Sequence, residues 1–350
     1  MRLTVRAEAG ACMSEHIRVA CLGAGYFSQF HYDAWARIPR ATLVGSANRS
    51  VQKAAATGLP AFSNVEEMLE ATQPDLLDII TPPETHFAAI TAATDAGVKA
   101  IICQKPFCTD LGEAKNAVSL ARDAGVELIV HENFRFQPWY REMRSQIDAG
   151  ALGDVQQLTF RLRTGDGQGP EAYLDRQPYF QQMPKFLVHE TAVHWIDTFR
   201  YLLGDITSVY ADLRKLNPAI AGEDAGMILM DHASGTRACF DGNRHLDHAA
   251  ENHRRTLGEA CLEGTKGVLT LTGDGAVHLR QFGEIDTQTV LPAKDYPGFA
   301  GDCVFALQNH VVSGLLDGTQ LENRAADYLR VIEVENAVYR SAQEGRKLEP

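Results

Sequence analysis

The sequence predicts a parallel, doubly wound α/β domain followed by an α+β domain with a large, mainly antiparallel, open-faced sheet. Three observations predict this. Over residues 16–133 short apolar runs alternate with helical patterns, the rhythm of βαβ units. The first apolar run breaks at once into glycines and then resumes at helical spacing. Beyond residue 135 this rhythm stops, and glycine-rich links separate strand-like alternation. At 350 residues and 45% hydrophobic content, the chain can bury a large core and should split in two. The expected division is an N-terminal extension (1–15), a first domain (16–133) and a second (134–350).

Ile17–Leu22 reads as a buried parallel strand, since continuous apolar runs belong to strands covered on both faces. Gly23 can take the tight turn that follows, and Gly25 lets a ligand approach the backbone because no Cβ intervenes. Tyr26, Phe27, Phe30, Ala34, Trp35 and Ile38 recur at helical spacing. The turn therefore opens a helix whose free N–H groups and dipole favour a phosphate. Strand, turn and helix together make a dinucleotide cradle of Rossmann type, with Gly23, Ala24, Gly25, Tyr26 and Phe27 as candidate cofactor contacts. Ser28 stands where that fingerprint has Gly or Ala, and is small enough for close helix–strand packing.

Ala41–Ala47 is the second strand, ending at Asn48 and Arg49. An acidic residue here would hold the ribose hydroxyls of NAD. Asn48 can still bond a ribose and Arg49 can pair with the 2′-phosphate of NADP, so both cofactors stay open, NAD being the first choice. Helices at 51–57 and 65–71, linked through Pro60, lead to a strand at 75–80. Thr81, Pro82 and Pro83 stop it, because proline cannot donate to a ladder. Strand ends of this kind face the ligand crevice, which makes Thr81 and Pro82 cofactor candidates, with His86 in the first turn of the next helix, 84–96. A strand at 98–103 ends in Gln104-Lys105-Pro106, placing an amine in the crevice. Asp110 caps a helix to residue 124, Gly125 ends it, and 126–131 is the last strand of the domain.

A formal net charge of -12 repels phosphate backbones and anionic lipid, excluding nucleic acid and membrane surfaces and favouring a small neutral ligand. The seven cysteines, at 12, 21, 103, 108, 239, 261 and 303, show no CxxC spacing. They read as reduced thiols of a cytoplasmic protein and not as a disulfide or zinc framework. Residues 1–12 lack an apolar core, so no export signal is expected, and Met13 is an alternative start. No run approaches the roughly twenty apolar residues that span a bilayer.

In the second domain a helix at 139–149 and a strand at 155–163 precede a glycine-rich loop, Thr164 to Pro170, expected at the mouth of a site. Glu190, His194 and Asp197 follow at offsets that share one helix face. A carboxylate beside an imidazole orients it, as a general base requires. His189 and His194 are five apart, not the four of HExxH, so no metal is expected. Strands at 208–216, 225–231, 236–240, 254–262 and 267–272 suggest a meander with one face on helices and the other open. A tail helix from about Asn323 carries Ala325, Tyr328, Leu329, Ile332 and Tyr339 on one side.

The Gly23-to-Ser28 turn, the Thr81-Pro82-Pro83 stop with His86, Gln104-Lys105-Pro106, His131-Glu132-Asn133-Phe134-Arg135 and the closing segment from Tyr339 to Gly345 resemble the Gfo/Idh/MocA oxidoreductases. The likeness runs over about residues 16–347. That family has Glu-Lys-Pro at the lysine, so Gln104 departs from it. Its Asp-x-Gly-x-His-x-x-Asp pattern matches at His194 and Asp197, with Glu190 and Ala192 in place of the acid and the glycine. The resemblance implies NAD(P)-dependent hydride transfer between nicotinamide and a sugar or cyclitol hydroxyl carbon, or an aldose C1 yielding a lactone. Lys105, His194 and Glu190 are then the catalytic set, with the choice of Lys105 or His194 as proton acceptor open. Gln104, Lys105 and Asn133 join the cofactor contacts. Lys105, Asn133, Arg135, Arg163, Glu190, His194 and Asn243 are candidates to hold substrate hydroxyls. A homodimer or homotetramer through the open sheet face is also implied. The alternatives are a non-catalytic NAD-binding sugar sensor and an NAD-dependent glycosidase.

Overall fold

The computed structural model describes residues 15–350. The expectations for residues 1–14, namely the missing export signal, the start at Met13 and the thiol of Cys12, lie outside the described residues. The first half runs β1 (Ile17–Leu22), α1 (Ser28–Arg37), β2 (Ala41–Ala47), α2 (Val51–Ala55), β3 (Ala61–Phe62), α3 (Val65–Thr72), β4 (Leu76–Ile79), α4 (His86–Asp95), β5 (Ala100–Gln104), α5 (Leu111–Asp123) and β6 (Glu127–His131). The strands form one parallel sheet in the order β3-β2-β1-β4-β5-β6. β3 was not expected; its two residues follow Pro60 and were read as a link. Asn64 and Asp110 cap α3 and α5, accepting the N–H of Glu67 and Glu113 at 2.8 and 2.9 Å. Strand order reverses between β1 and β4, which opens a crevice at their carboxyl ends, where Gly23 and Thr81 lie.

The second half comprises α6 (Pro138–Asp148), β7 (Val155–Leu162), α7 (Val193–Leu203), β8 (Ile206–Arg214), β9 (Ala225–His232), β10 (Arg237–Asn243), β11 (Gly258–Gly264), β12 (Gly267–Leu271), β13 (Val277–Gln281), β14 (Gln288–Leu291), α8 (Phe299–Asp317) and α9 (Ala325–Glu344). Its sheet has the order β14-β13-β12-β11-β7-β10-β9-β8. It is antiparallel except where β7 lies parallel to β10. The expected meander is thus interrupted, since β7 inserts between β10 and β11. Residues 254–257 are turn and not strand, and β13 and β14 extend the far edge.

Alternation along these strands sends Leu158, Phe160, Ala238, Phe240 and Leu262 into one core with Trp195 and Phe199 of α7 and Val331 and Val338 of α9. The Phe160 and Trp195 rings stack 4.3 Å apart. On the opposite face Tyr210, Leu229, Cys239, Thr159, Cys261 and Thr270 stand in one cross-strand row. Tyr210, Met227 and Leu229 are exposed there.

From the second half, α8 returns to pack on the first. Leu307, Val311 and Val312 of α8 pack with Val19, Trp35 and Ile38. Arg37 forks onto Asp302 at 2.8 and 2.6 Å, and Arg40 onto Asp317 at 2.7 and 2.9 Å. Among the described residues no helix is long and apolar enough to cross a membrane, and the six cysteines are free thiols.

Candidate functional site

The glycine turn has the form a nucleotide phosphate needs. Gly23 has φ +118°, and a Cβ there would lie 2.5 Å from the Ile80 carbonyl oxygen, so only glycine fits against β4. At Gly25 a Cβ would meet nothing within 4 Å, leaving the backbone open to an approaching group. Ser28 is buried and donates to the Gly25 carbonyl at 2.7 Å, closing the turn onto α1, which starts without a side-chain cap. Asn48 accepts the Ala24 N–H at 3.2 Å and donates to the Ser50 carbonyl at 3.1 Å. It therefore braces the turn, while Arg49 stands exposed beside it. The side chains of Tyr26 and Phe27 are engaged elsewhere: the Tyr26 hydroxyl accepts from Arg254 at 3.1 Å, and Phe27 packs edge-on against Phe299. Only their backbone remains for a phosphate.

Lys105 and Glu190 come together in an ion pair. The Lys105 ammonium donates to the Glu190 backbone carbonyl at 2.6 Å and to its carboxylate at 2.8 Å. Residues Leu187–Ala192 form a π-helical turn ahead of α7, and this wide turn delivers both Glu190 oxygens to one amine. Thr191 donates to the second carboxylate oxygen at 2.9 Å. Burial pushes the Glu190 carboxyl up, but Lys105 and Arg244 together outweigh it and hold it below the ordinary range. His194, four residues on, adds to that stabilisation.

The partner of His194 is a correction. The shared face with Glu190 and Asp197 implied that one of these orients the imidazole; instead its Nδ1 is hydrogen-bonded to Glu132, which follows β6 and is fully buried. Phe134 stacks on the ring at 3.9 Å and 7°. Asp197 instead takes the fork of Arg135 at 2.8 and 2.5 Å. Arg135 thus gives Nε and Nη2 to a buried carboxylate, with Nη1 3.7 Å from Glu322. Arg163 bonds the Asp241 carboxylate at 2.5 Å and the carbonyls of Leu162 and Asp241 at 2.8 and 2.7 Å, and its Nε has no partner among the described residues. His86 is withdrawn as a cofactor contact, since its ring is wholly buried against the Thr81 carbonyl at 2.7 Å. Burial lowers its tendency to protonate. Gln104 is nearly buried, accepting the Lys105 N–H at 2.8 Å and facing His31 at 3.0 Å. It supports the lysine from beneath. Thr81 and Pro82 remain at the crevice. Asn133 is 2% exposed with its amide nitrogen unpartnered, and Asn243 is half-buried, accepting the His245 N–H at 2.9 Å. His189 pairs with Glu335 at 2.7 Å, and among the described residues no three metal-ligating side chains converge.

Two family models cover most of the chain. One, described as an oxidoreductase family with an NAD-binding Rossmann fold, matches residues 17–132, and a GFO/IDH/MocA C-terminal domain matches 140–270. The chain belongs to the Gfo/Idh/MocA oxidoreductase family. Among its relatives, a D-apiose dehydrogenase of Paraburkholderia graminis is 32% identical over 94% of this chain and 88% of that protein. A D-apiose dehydrogenase of Rhizobium rhizogenes is 27% identical over 95% and 97%. The crystal structure of an oxidoreductase from Agrobacterium radiobacter in complex with NAD+, L-tartaric acid and magnesium superposes with a TM-score of 0.86 at 25% identity, covering 95% and 98% of the two chains.

The residues of this Gfo/Idh/MocA chain fit a dinucleotide on their own geometry, through the open Gly25, the glycine-only position at 23 and the orphaned Asn133 amide. Three groups escaped the sequence reading. Glu132 is one, although a charge at the end of a buried strand is itself a signal. Asp78, fully buried within β4, accepts from His31 at 2.8 Å and Trp35 at 2.7 Å, and through His31 supports Gln104. Arg244, beside the expected Asn243, is 5% exposed and donates to Tyr173, Thr191 and Asp166 at 2.8, 2.7 and 3.3 Å. Asp166 lies in the glycine-rich mouth loop, so that loop is joined through Arg244 and Thr191 to Glu190.

Proposed function

We propose that the protein oxidises a carbinol carbon of a small neutral sugar, with D-apiose to its lactone as the first reaction to test, using NAD(P) with NAD preferred. The observation that carries this reading is the meeting of Lys105 with Glu190, four residues before His194 on the same helical segment. Two of the ammonium hydrogens of Lys105 are committed to Glu190, leaving one for a substrate oxygen. Lys105 is therefore the donor that stabilises charge developing on that oxygen, and His194 accepts the hydroxyl proton. Backbone groups of residues 23–27, with Thr81, Pro82 and the Asn133 amide, hold the cofactor. When bound there, the nicotinamide would supply the hydride acceptor. Asn133, Glu190 and Asn243 hold substrate hydroxyls. The likeness to two D-apiose dehydrogenases supports the substrate class. The exposed Tyr210, Met227 and Leu229 support pairing of two copies across the open sheet face, and the free thiols fit a reducing compartment such as the cytoplasm.

A panel of aldoses and cyclitols with NAD and NADP, followed at the NAD(P)H absorbance, tests this. Lys105→Ala and His194→Ala are each expected to cut turnover at least about a hundredfold while dinucleotide binding stays measurable. A flat trace across the panel points to a sensor. Sugar release from a nitrophenyl glycoside without NADH accumulation points to a glycosidase.

A further inference from the structure

We propose that Glu132 is the positioning residue that fixes the tautomer of His194, with Tyr328 holding Glu132 in the form that does so. The proposal rests on the dehydrogenase reading for its kinetic consequence but not for its geometry. An ionised carboxylate only accepts hydrogen bonds, so the proton between Glu132 and His194 belongs to Nδ1. In a neutral imidazole that leaves Nε2 with its lone pair free to receive a proton. The second carboxylate oxygen of Glu132 accepts the Tyr328 hydroxyl at 3.2 Å, and its backbone carbonyl accepts the Asn323 amide. Burial, and then Glu132 itself, raise the Tyr328 phenol far above its ordinary range, which keeps it a donor. Phe134 lies flat against the ring of His194 at 3.9 Å and sets its plane. α9, the residue after β6, and α7 thus each contribute one member to a row running from Tyr328 through Glu132 to His194.

The titratable and charged groups facing His194 are Glu132 and His131 from the end of β6, Glu190 from the turn ahead of α7, and Tyr328 behind Glu132 on α9. Around Glu132 lie Asp197 with its Arg135, and Cys303 of α8. His131 is kept neutral, first by burial and then by His31. Glu190 is neutralised by Lys105. The charge change on oxidation is therefore felt chiefly by Glu132: the substrate proton goes to Nε2, and the imidazolium so formed faces the carboxylate through Nδ1–H. A later step returns the Nε2 proton to solvent.

The test uses the full chain. In 15N-histidine NMR of the wild type above the acid limb, His194 is expected as the Nδ1–H tautomer. An Nε2–H tautomer overturns the proposal, whether or not any sugar proves to be a substrate. Glu132→Gln, which keeps the shape and removes the charge, is expected to lower kcat by about 10²–10⁴-fold. KM and the NADH Kd should stay within threefold, and the acid limb of kcat/KM should move to lower pH. Glu132→Asp should recover part of the loss. Tyr328→Phe should move the limb the other way, because Glu132 loses a donor and faces the imidazolium with more charge. Should Glu132→Gln not fold, the wild-type spectrum and Tyr328→Phe still decide. An unmoved limb in both variants, or kcat within threefold of wild type in Glu132→Gln, overturns the role. A wild type that produces NADH from no sugar counts against the dehydrogenase reading and leaves the tautomer measurement standing.

Discussion

Two alanine substitutions two residues apart in the glycine turn should fail in opposite ways. At Gly23 the new Cβ would sit 2.5 Å from the Ile80 carbonyl oxygen and 2.8 Å from its carbon, at φ +118°. Neither partner can retreat, since the Ile80 N–H is bonded to Leu22 at 2.7 Å and the Gly23 N–H to Ala47 at 2.8 Å. The positive φ costs ~1–2 kcal/mol and the backbone clash about as much again, roughly 3 kcal/mol together. With about 2.1 cal/mol/K of unfolding entropy per residue, a chain of this length should lose roughly 4 °C in Tm. At Gly25 the methyl meets nothing within 4 Å, so the melt should stay within about 1 °C of wild type. That methyl stands where the pyrophosphate must come close, and the Kd for NADH should rise at least about tenfold, or about 1.4 kcal/mol. Thermal melts and a fluorescence titration with NADH read both outcomes. Undiminished NADH affinity in Gly25→Ala would remove the cradle from this turn, and a Gly23→Ala protein melting with the wild type would refute the packing argument.

Asp231 is held at about 2, first by the ammonium of Lys347 and further by Ser208 and Arg237. Its folded value lies below the unfolded one, so its contribution is complete above about pH 4 and fades as pH falls toward 2. Asp231→Asn should accordingly lower the urea midpoint at pH 6, with the gap narrowing by pH 3; matching midpoints at pH 6 would count against it. Arg244→Met leaves Asp166 short of a cation inside a buried cluster, and a loss of about 3–5 kcal/mol is expected, read as roughly 4–7 °C in a thermal melt. Asn48→Ala frees the Ala24 N–H from its brace, at about 1 kcal/mol, and should weaken NADH binding roughly fivefold without moving kcat.

The first half of the fold was legible because its strands are short apolar runs closed by residues with a single structural meaning. Gly23, Pro82, Asp110 and Gly125 each mark a boundary through backbone chemistry. Lys105 was placed correctly by the same logic, as the residue after a buried strand. Glu190 lies in the π-helical turn and His194 and Asp197 in α7, and helical offsets say nothing about what lies opposite. Glu132 is 62 residues from His194 and Asp197 is 62 from Arg135, so both pairings exist only once β6 and α7 are packed together. His86, Arg135 and Arg163 also stand near strand ends, and there each meets a carbonyl or carboxylate of this chain, while His86 Nδ1 and Arg163 Nε keep no partner among the described residues. α8 escaped because it is apolar on most of its surface and opens through Ala300, Gly301 and Asp302 at positive φ, which hides the usual start signal.

The return of α8 changes what the molecule can do mechanically. With Arg37 and Arg40 gripped by Asp302 and Asp317, and Trp35 covered by the same helix, the two lobes share a seam that runs beside the nucleotide turn. Swinging one lobe away from the other would tear that seam and bare its apolar flank. The segment around Asp166 is bonded to Arg244, and Arg244 through Thr191 to Glu190, so a shift of that segment would be passed to the carboxylate that holds Lys105.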